Sequence, residues 1–147
     1  MSTNWTVLIS VREQERDLQM QRLASVMQQL RDCETACENA RLDLQRALTE
    51  ARRAGATGAL DVRRLTAQRE HIHRLQLALE QCDASRSEAS EFVEAERRLL
   101  LTAEQRLEQL ERLARQELEA AATKTAQRRQ RELEEIWQAT YTNRRSA

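Results

Sequence analysis

The stretch Gly55-Ala-Thr-Gly-Ala-Leu-Asp61 decides the fold, because it holds both glycines of a chain that contains no proline. A glycine just past a helical pattern marks a helix end, and the side chain of Thr57 or of Asp61 can accept hydrogen bonds from the first amides of a following helix. The stretch therefore predicts a loop between two helices. We expect a first helix over about residues 5–53, a loop over about 54–61, a second helix over about 62–141 and a frayed tail over 142–147.

Apolar residues follow a heptad pattern on both sides of this loop. In the first helix every heptad position from Leu23 to Ala54 is apolar, and in the second helix 11 of 13 positions from Ile72 to Ala114 are apolar. We call these positions the seam; its two polar members are Arg86 and Glu96. A helix with one narrow apolar stripe cannot bury it alone, and a short loop makes the other helix its nearest partner.

The expected fold is therefore all-α: a single antiparallel two-helix coiled-coil hairpin spanning residues 1–147. Only 3% of the residues are aromatic and 33% are charged, so the core should be thin. The pairing should also bring Cys82 within about one helical turn of Cys33 or Cys37.

The second helix should overhang the first at its C-terminal end. Folding about the loop centre leaves the segment from about Glu111 onward without a partner in the hairpin. This segment still carries an apolar stripe, formed by Leu133, Ile136, Trp137 and Tyr141. The stripe is compatible with end-to-end packing in a dimer, with a frayed tail, or with a docking helix for another protein. We interpret the basic stretch from Lys124 to Arg131 as a solvated face in preference to an anion-binding patch.

Several kinds of chemistry are disfavoured by the sequence. Two glycines cannot build a phosphate-binding loop, and His71 and His73 are spaced wrongly for a metal pair on a helix. The three cysteines lie on the seam, where cysteine packs as a small apolar side chain. A two-helix hairpin also lacks a pocket that would exclude water. We expect no enzymatic activity, no cofactor and no metal site.

The charge balance indicates no polyanionic partner. The 24 basic residues balance 24 acidic ones, so no net field steers the chain to nucleic acid or to an anionic bilayer. The sequence contains no run of about 18 apolar residues. We therefore expect a cytoplasmic chain with free thiols, no nucleic-acid partner and no insertion into a membrane.

Three stretches resemble FliJ-type flagellar export proteins and their injectisome relatives of the YscO and HrpO kind. Gly58-Ala-Leu-Asp-Val-Arg-Arg-Leu-Thr-Ala-Gln-Arg-Glu-His-Ile-His-Arg-Leu-Gln-Leu-Ala-Leu-Glu-Gln81 resembles the start of that family's second helix. Leu8-Ile-Ser-Val-Arg-Glu-Gln-Glu-Arg16 is similar to its first helix, and Arg131-Glu-Leu-Glu-Glu-Ile-Trp137 to its Glu-rich close. The resemblance covers essentially the whole chain.

The resemblance implies a stalk protein of a type III export apparatus, associated peripherally with that apparatus at the inner membrane. Its implied partners are a hexameric export ATPase, a membrane export gate protein and export chaperones. We expect the ATPase-binding residues to be Leu8, Val11, Leu133, Ile136 and Trp137. We expect the export-gate-binding residues to be Arg46, Arg53, His71 and Leu75. The alternative function is a generic cytosolic coiled-coil scaffold or adaptor that self-associates.

Overall fold

A computed structural model describes residues 4–56 and 61–146 of the chain. It contains two α-helices, α1 (Trp5–Ala56) and the longer α2 (Val62–Ser146), which pack against each other. The predicted all-α hairpin with a longer second helix is confirmed. The helices contribute to two compact units. We call Arg16–Thr102 the loop unit, and Met1–Glu15 with Ala103–Ala147 the terminal unit.

Both helices begin at capping residues. The backbone N–H of Val7 donates to Asn4 Oδ1 at 3.5 Å, and that of Arg63 donates to Asp61 Oδ1 at 3.1 Å. The carbonyl of Asp61 also accepts from the N–H of Leu65 at 3.0 Å, which starts the helical ladder. Of the two candidate caps, Asp61 is therefore confirmed, whereas Thr57 lies outside the described residues.

Both helices end later than the sequence pattern predicts. α1 continues to Ala56, and its Gly55 has no neighbour that a side chain would meet, so the glycine costs only its weak helix propensity there. α2 continues to Ser146. Its last turns are supported by a hydroxyl of Ser146 that donates to the carbonyl of Thr142 at 2.7 Å, and by Arg144 and Arg145, whose charges complement the helix dipole.

Burial in the loop unit follows the predicted seam. Every seam residue of α1 from Leu23 to Ala54 is buried or half-buried, and those of α2 in this unit are too, except Arg86. Cys37 and Val93 are the deepest, each with 3% of its surface exposed. No described side chain is completely enclosed, which confirms a thin core.

The structure also explains the two polar seam positions. Glu96 is matched by Gln19 of α1, whose side-chain amide donates to the carbonyl of Glu96 at 3.3 Å and to its carboxylate. Gln19 is itself buried. Arg86, by contrast, is an exposed side chain whose Nη2 lies 3.9 Å from Asp83 Oδ1. Glu96 thus forms a polar pair within the seam, whereas the side chain of Arg86 is exposed to solvent.

Candidate functional site

The C-terminal segment of α2, residues 115–146, is exposed at every position, and we call it the arm. Ala114 is the last half-buried residue of α2. The indole N–H of Trp5 donates to the carboxylate of Glu117. Side chains on a helix lean toward its N-terminus, so Trp5 reaches farther along α2 than its backbone position alone allows. The last contact of α1 with α2 therefore lies at Glu117, whereas the sequence predicted an overhang from about Glu111.

The arm carries an apolar stripe longer than the one read from sequence. Leu118 is 73% exposed, and Leu133 and Trp137 are each 67% exposed. Three pairs of its members are 11 residues apart, a spacing that keeps each pair close to one face of an α-helix: Leu118 and Arg129, Ala122 and Leu133, and Ala126 and Trp137. We define the arm stripe as Leu118, Ala122, Ala126, Arg129, Leu133, Ile136, Trp137 and Tyr141.

The middle of the arm stripe forms a shallow hollow of about 540 Å³. Its lining includes the small side chains Ala122 and Ala126, with Leu133 at one end. Arg129 also lines it and is the only charged member of the stripe. A surface of this shape can accept large side chains from a facing helix between its small ones.

Two aromatic rings follow the hollow. Trp137 and Tyr141 are stacked, with ring centroids 5.4 Å apart and planes 10° from parallel. The guanidinium carbon of Arg145 lies 5.5 Å from the centroid of Tyr141. These contacts hold the rings in a defined orientation before any partner arrives, which lowers the entropy cost of using them as anchors.

The residues expected at the ATPase end lie in two separate patches. Leu8 and Val11 are both exposed on α1 and belong to the terminal unit, as the arm does. Trp5 of α1 reaches Glu117, and Leu133 lies about 24 Å farther along α2. The structure therefore brings Leu133, Ile136 and Trp137 together, but it does not join them to Leu8 and Val11.

Three of the four residues expected at the export gate share one hollow. Arg46, His71 and Leu75 line a surface depression of about 220 Å³. Asp43, which also lines it, places Oδ1 4.0 Å from Arg46 Nη1. Arg53 is exposed in the last turn of α1 and does not line the depression. The depression is open and carries both signs of charge, which suits polar contact with a protein surface better than enclosure of a small molecule.

The cysteines lie together in the loop unit, as the hairpin pairing predicts. Cys33 and Cys82 line a common hollow, Cys37 is buried nearby, and all three are free thiols. Burial raises the pKa of the Cys37 thiol, and Asp83 and Cys82 raise it further, with Arg86 partly opposing them. The thiol therefore stays protonated and packs as an apolar group. Within residues 4–56 and 61–146, no cluster of His, Cys, Asp or Glu is arranged to hold a metal ion.

Sequence reasoning missed Trp5, Leu118 and Arg129 as members of this region. The repeat of 11 residues from Leu118 was the available signal, but the heptad template does not detect it. No sequence pattern identifies Trp5, because its contact with Glu117 depends on how far a side chain reaches across the hairpin.

The described helices contain no window long and apolar enough to cross a bilayer. Comparison of the chain with protein-family models, curated proteins and solved structures finds no match in any of the three.

Proposed function

We propose that this chain is a non-enzymatic stalk of a type III export system, flagellar or injectisome, that couples a hexameric export ATPase to a membrane export gate. The observation that carries the proposal is the arm stripe: Leu133, Ile136 and Trp137 are exposed on a helix that extends past its hairpin partner. Exposed apolar stripes of this kind mark interfaces with other proteins. The resemblance to FliJ-type proteins supplies the identity of the partner.

At the ATPase end, the arm acts as an anchor inside the ring. Trp137 and Leu133 contribute most of the contact area, because large, exposed and pre-oriented side chains dominate interface energies. Leu8 and Val11 provide a second contact on α1. Binding that differs between conformations of the ring would shift their populations, which is how a protein without catalytic groups can change ATPase turnover.

In the loop unit, the depression lined by Arg46, His71 and Leu75 contacts the export gate protein, and Arg53 adds a contact about two turns farther along α1. Its mixed charges favour a polar, reversible contact, as a coupling protein requires. Under this proposal the chain works in the cytoplasm, associated peripherally with the export apparatus, and it presents further exposed helix surface to export chaperones.

Loss of ring binding in a double variant tests the proposal. Leu133→Ala combined with Trp137→Ala should weaken binding to the hexameric export ATPase by about thirtyfold or more and remove stimulation of its turnover. Helicity should not change, since both side chains lie beyond the last half-buried residue of α2.

The matched control combines Phe92→Ala with Leu99→Ala. Both residues are exposed on α2 in the loop unit, and the two substitutions remove side chains similar in size to those of Leu133 and Trp137. The control should keep both ring binding and stimulation. Full ring binding by the Leu133/Trp137 variant would overturn the assignment of the arm.

A self-associating scaffold is the second candidate function. The arm favours it because its charged residues alternate in bands, acidic at Glu117 and Glu119, basic from Arg128 to Arg131 and acidic again from Glu132 to Glu135. It predicts that the Leu133/Trp137 variant loses self-association while an export ATPase shows no response to the chain at all.

A further inference from the structure

The free chain exposes the whole arm stripe to water, which is unfavourable unless something covers it. Leu118, Leu133 and Trp137 each expose about two thirds or more of their surface. We propose that a second copy of this chain covers the arm stripe, with the two arms antiparallel and Arg129 of each copy level with Glu134 of the other.

The charge sequence of the arm supports an antiparallel pairing. Moving toward the C-terminus, acidic and basic bands alternate: Glu117 and Glu119, then Arg128 to Arg131, then Glu132 to Glu135, then Arg144 and Arg145. When the pairing is centred between residues 131 and 132, Arg129 faces Glu134 of the second copy and Glu119 faces Arg144 of the second copy. Each contact forms twice because the arrangement is symmetric.

Side-chain sizes agree with the same alignment. Ala122 becomes level with Tyr141 of the second copy, and Ala126 with Trp137 of the second copy. The shallow hollow along Ala122 and Ala126 can therefore receive an aromatic ring at each of its small positions. Large side chains set against small ones allow the two helices to pack closely at these positions.

Arg129 gives a further reason for this partner. It lies within the stripe, and among the residues that the structure describes no carboxylate is within 4.0 Å of its guanidinium. Covering the stripe with a purely apolar surface would bury this charge without a partner, which is costly. Glu134 of the second copy supplies the carboxylate. Its Oε1 accepts a hydrogen bond from Gln130 Nε2 at 3.2 Å, which leaves Oε2 for Arg129.

A parallel pairing lacks these matches. Two parallel arms in register would set Arg129 against Arg129 and Glu134 against Glu134, so like charges would repel at these positions. Antiparallel pairing over residues 118–145 instead forms an overlap of about 40 Å. It begins just past Glu117, which Trp5 contacts, so it covers the segment that α1 leaves open without displacing α1.

The antiparallel dimer is inferred from the residues of the arm alone and does not depend on the proposed export function. If both hold, a second copy and an ATPase ring occupy the same stripe and exclude each other. An antiparallel dimer would then be the resting form of a chain that is not bound to the ring.

Sedimentation equilibrium of the full chain, under reducing conditions and without ATPase, tests the pairing. The wild-type chain should form a dimer whose population rises with concentration. Arg129→Glu and Glu134→Arg should each weaken the dimer by about tenfold or more, because each change creates two like-charge contacts per dimer. The double variant should regain the wild-type dissociation constant, and so should an equimolar mixture of the two single variants.

The matched control is Lys124→Glu, which changes the charge as Arg129→Glu does but lies on the opposite side of α2 from the stripe. It should leave the dimer unchanged, and circular dichroism should show equal helicity in all variants. A wild-type chain that stays monomeric at about 200 µM would overturn the proposal and leave the stripe to a different protein. A double variant no better than the single ones would overturn the antiparallel alignment.

Discussion

Replacing the polar pair in the seam should make the hairpin more stable. Gln19 is buried, and its amide donates to the carboxylate and the carbonyl of Glu96. A buried polar pair gives little net stability, because the cost of removing it from water offsets most of its attraction. Gln19→Leu combined with Glu96→Leu removes that cost and adds apolar burial. We expect the free energy of unfolding to rise by about 1 to 3 kcal/mol.

The single changes should behave differently. Gln19→Leu alone leaves the Glu96 carboxylate within the seam without its amide donor, so the variant should be less stable than wild type by about 1 kcal/mol. Glu96→Leu alone leaves the amide of Gln19 with the backbone carbonyl of residue 96 at 3.3 Å, so its effect should be smaller. The expected order of stability is the double variant, then wild type, then Gln19→Leu.

Urea unfolding followed by circular dichroism measures these differences, provided that the transition has a single step. The matched control is Gln21→Leu with Glu91→Leu, the same chemical change at two exposed positions, which should alter stability by no more than about 0.5 kcal/mol. A double seam variant less stable than wild type would refute the reasoning and show that the hydrogen bonds of Gln19 outweigh its desolvation.

Two further predictions concern Cys37 and Asp61. The pKa of the Cys37 thiol is raised in the folded chain, so above the ordinary thiol pKa of 9.0 unfolding releases a proton. The free energy of unfolding should therefore fall as the pH rises past that value. Urea titrations should show a smaller fall for Cys37→Val than for wild type. An equal fall in both chains would assign the pH dependence to other groups. Asp61→Ala removes the acceptor for the Arg63 amide and should lower the stability of the first turn of α2 by about 1 kcal/mol, whereas Asp61→Asn should lower it less. Hydrogen exchange at residues 63–65 measures both changes. Equal losses of stability in the two variants would contradict the capping role.

The hairpin was predictable from the sequence because its information is local and repeated. Each seam position carries the same signal as its neighbours, so one misplaced residue such as Arg86 does not disturb the pattern. The start of α2 at Val62 was predictable as well, since its capping residue Asp61 acts within one turn. The ends were less predictable, because no proline stops either helix and a glycine near the end is tolerated.

The contacts that could not be predicted from the sequence depend on distances across the hairpin. Gln19 is a polar residue that looks like surface until Glu96 is placed opposite it, and Trp5 reaches Glu117 only because of the direction in which its side chain leans. His71 and Leu75 lie one helical turn apart on α2, but Arg46 is distant in the sequence, and antiparallel pairing brings it to the same depression. Their role at an export gate stays a prediction.

The change of spacing within α2 limits the shape of any helix that binds the arm. Up to Ala114 the half-buried residues repeat every seven positions, a pattern that winds paired helices into a left-handed supercoil. The 11-residue repeat of the arm stripe favours helices that run nearly straight or wind slightly to the right. A helix designed by extending the heptads of α1 would therefore turn away from Leu133 and Trp137, whereas a nearly straight helix could follow the stripe from Leu118 to Trp137.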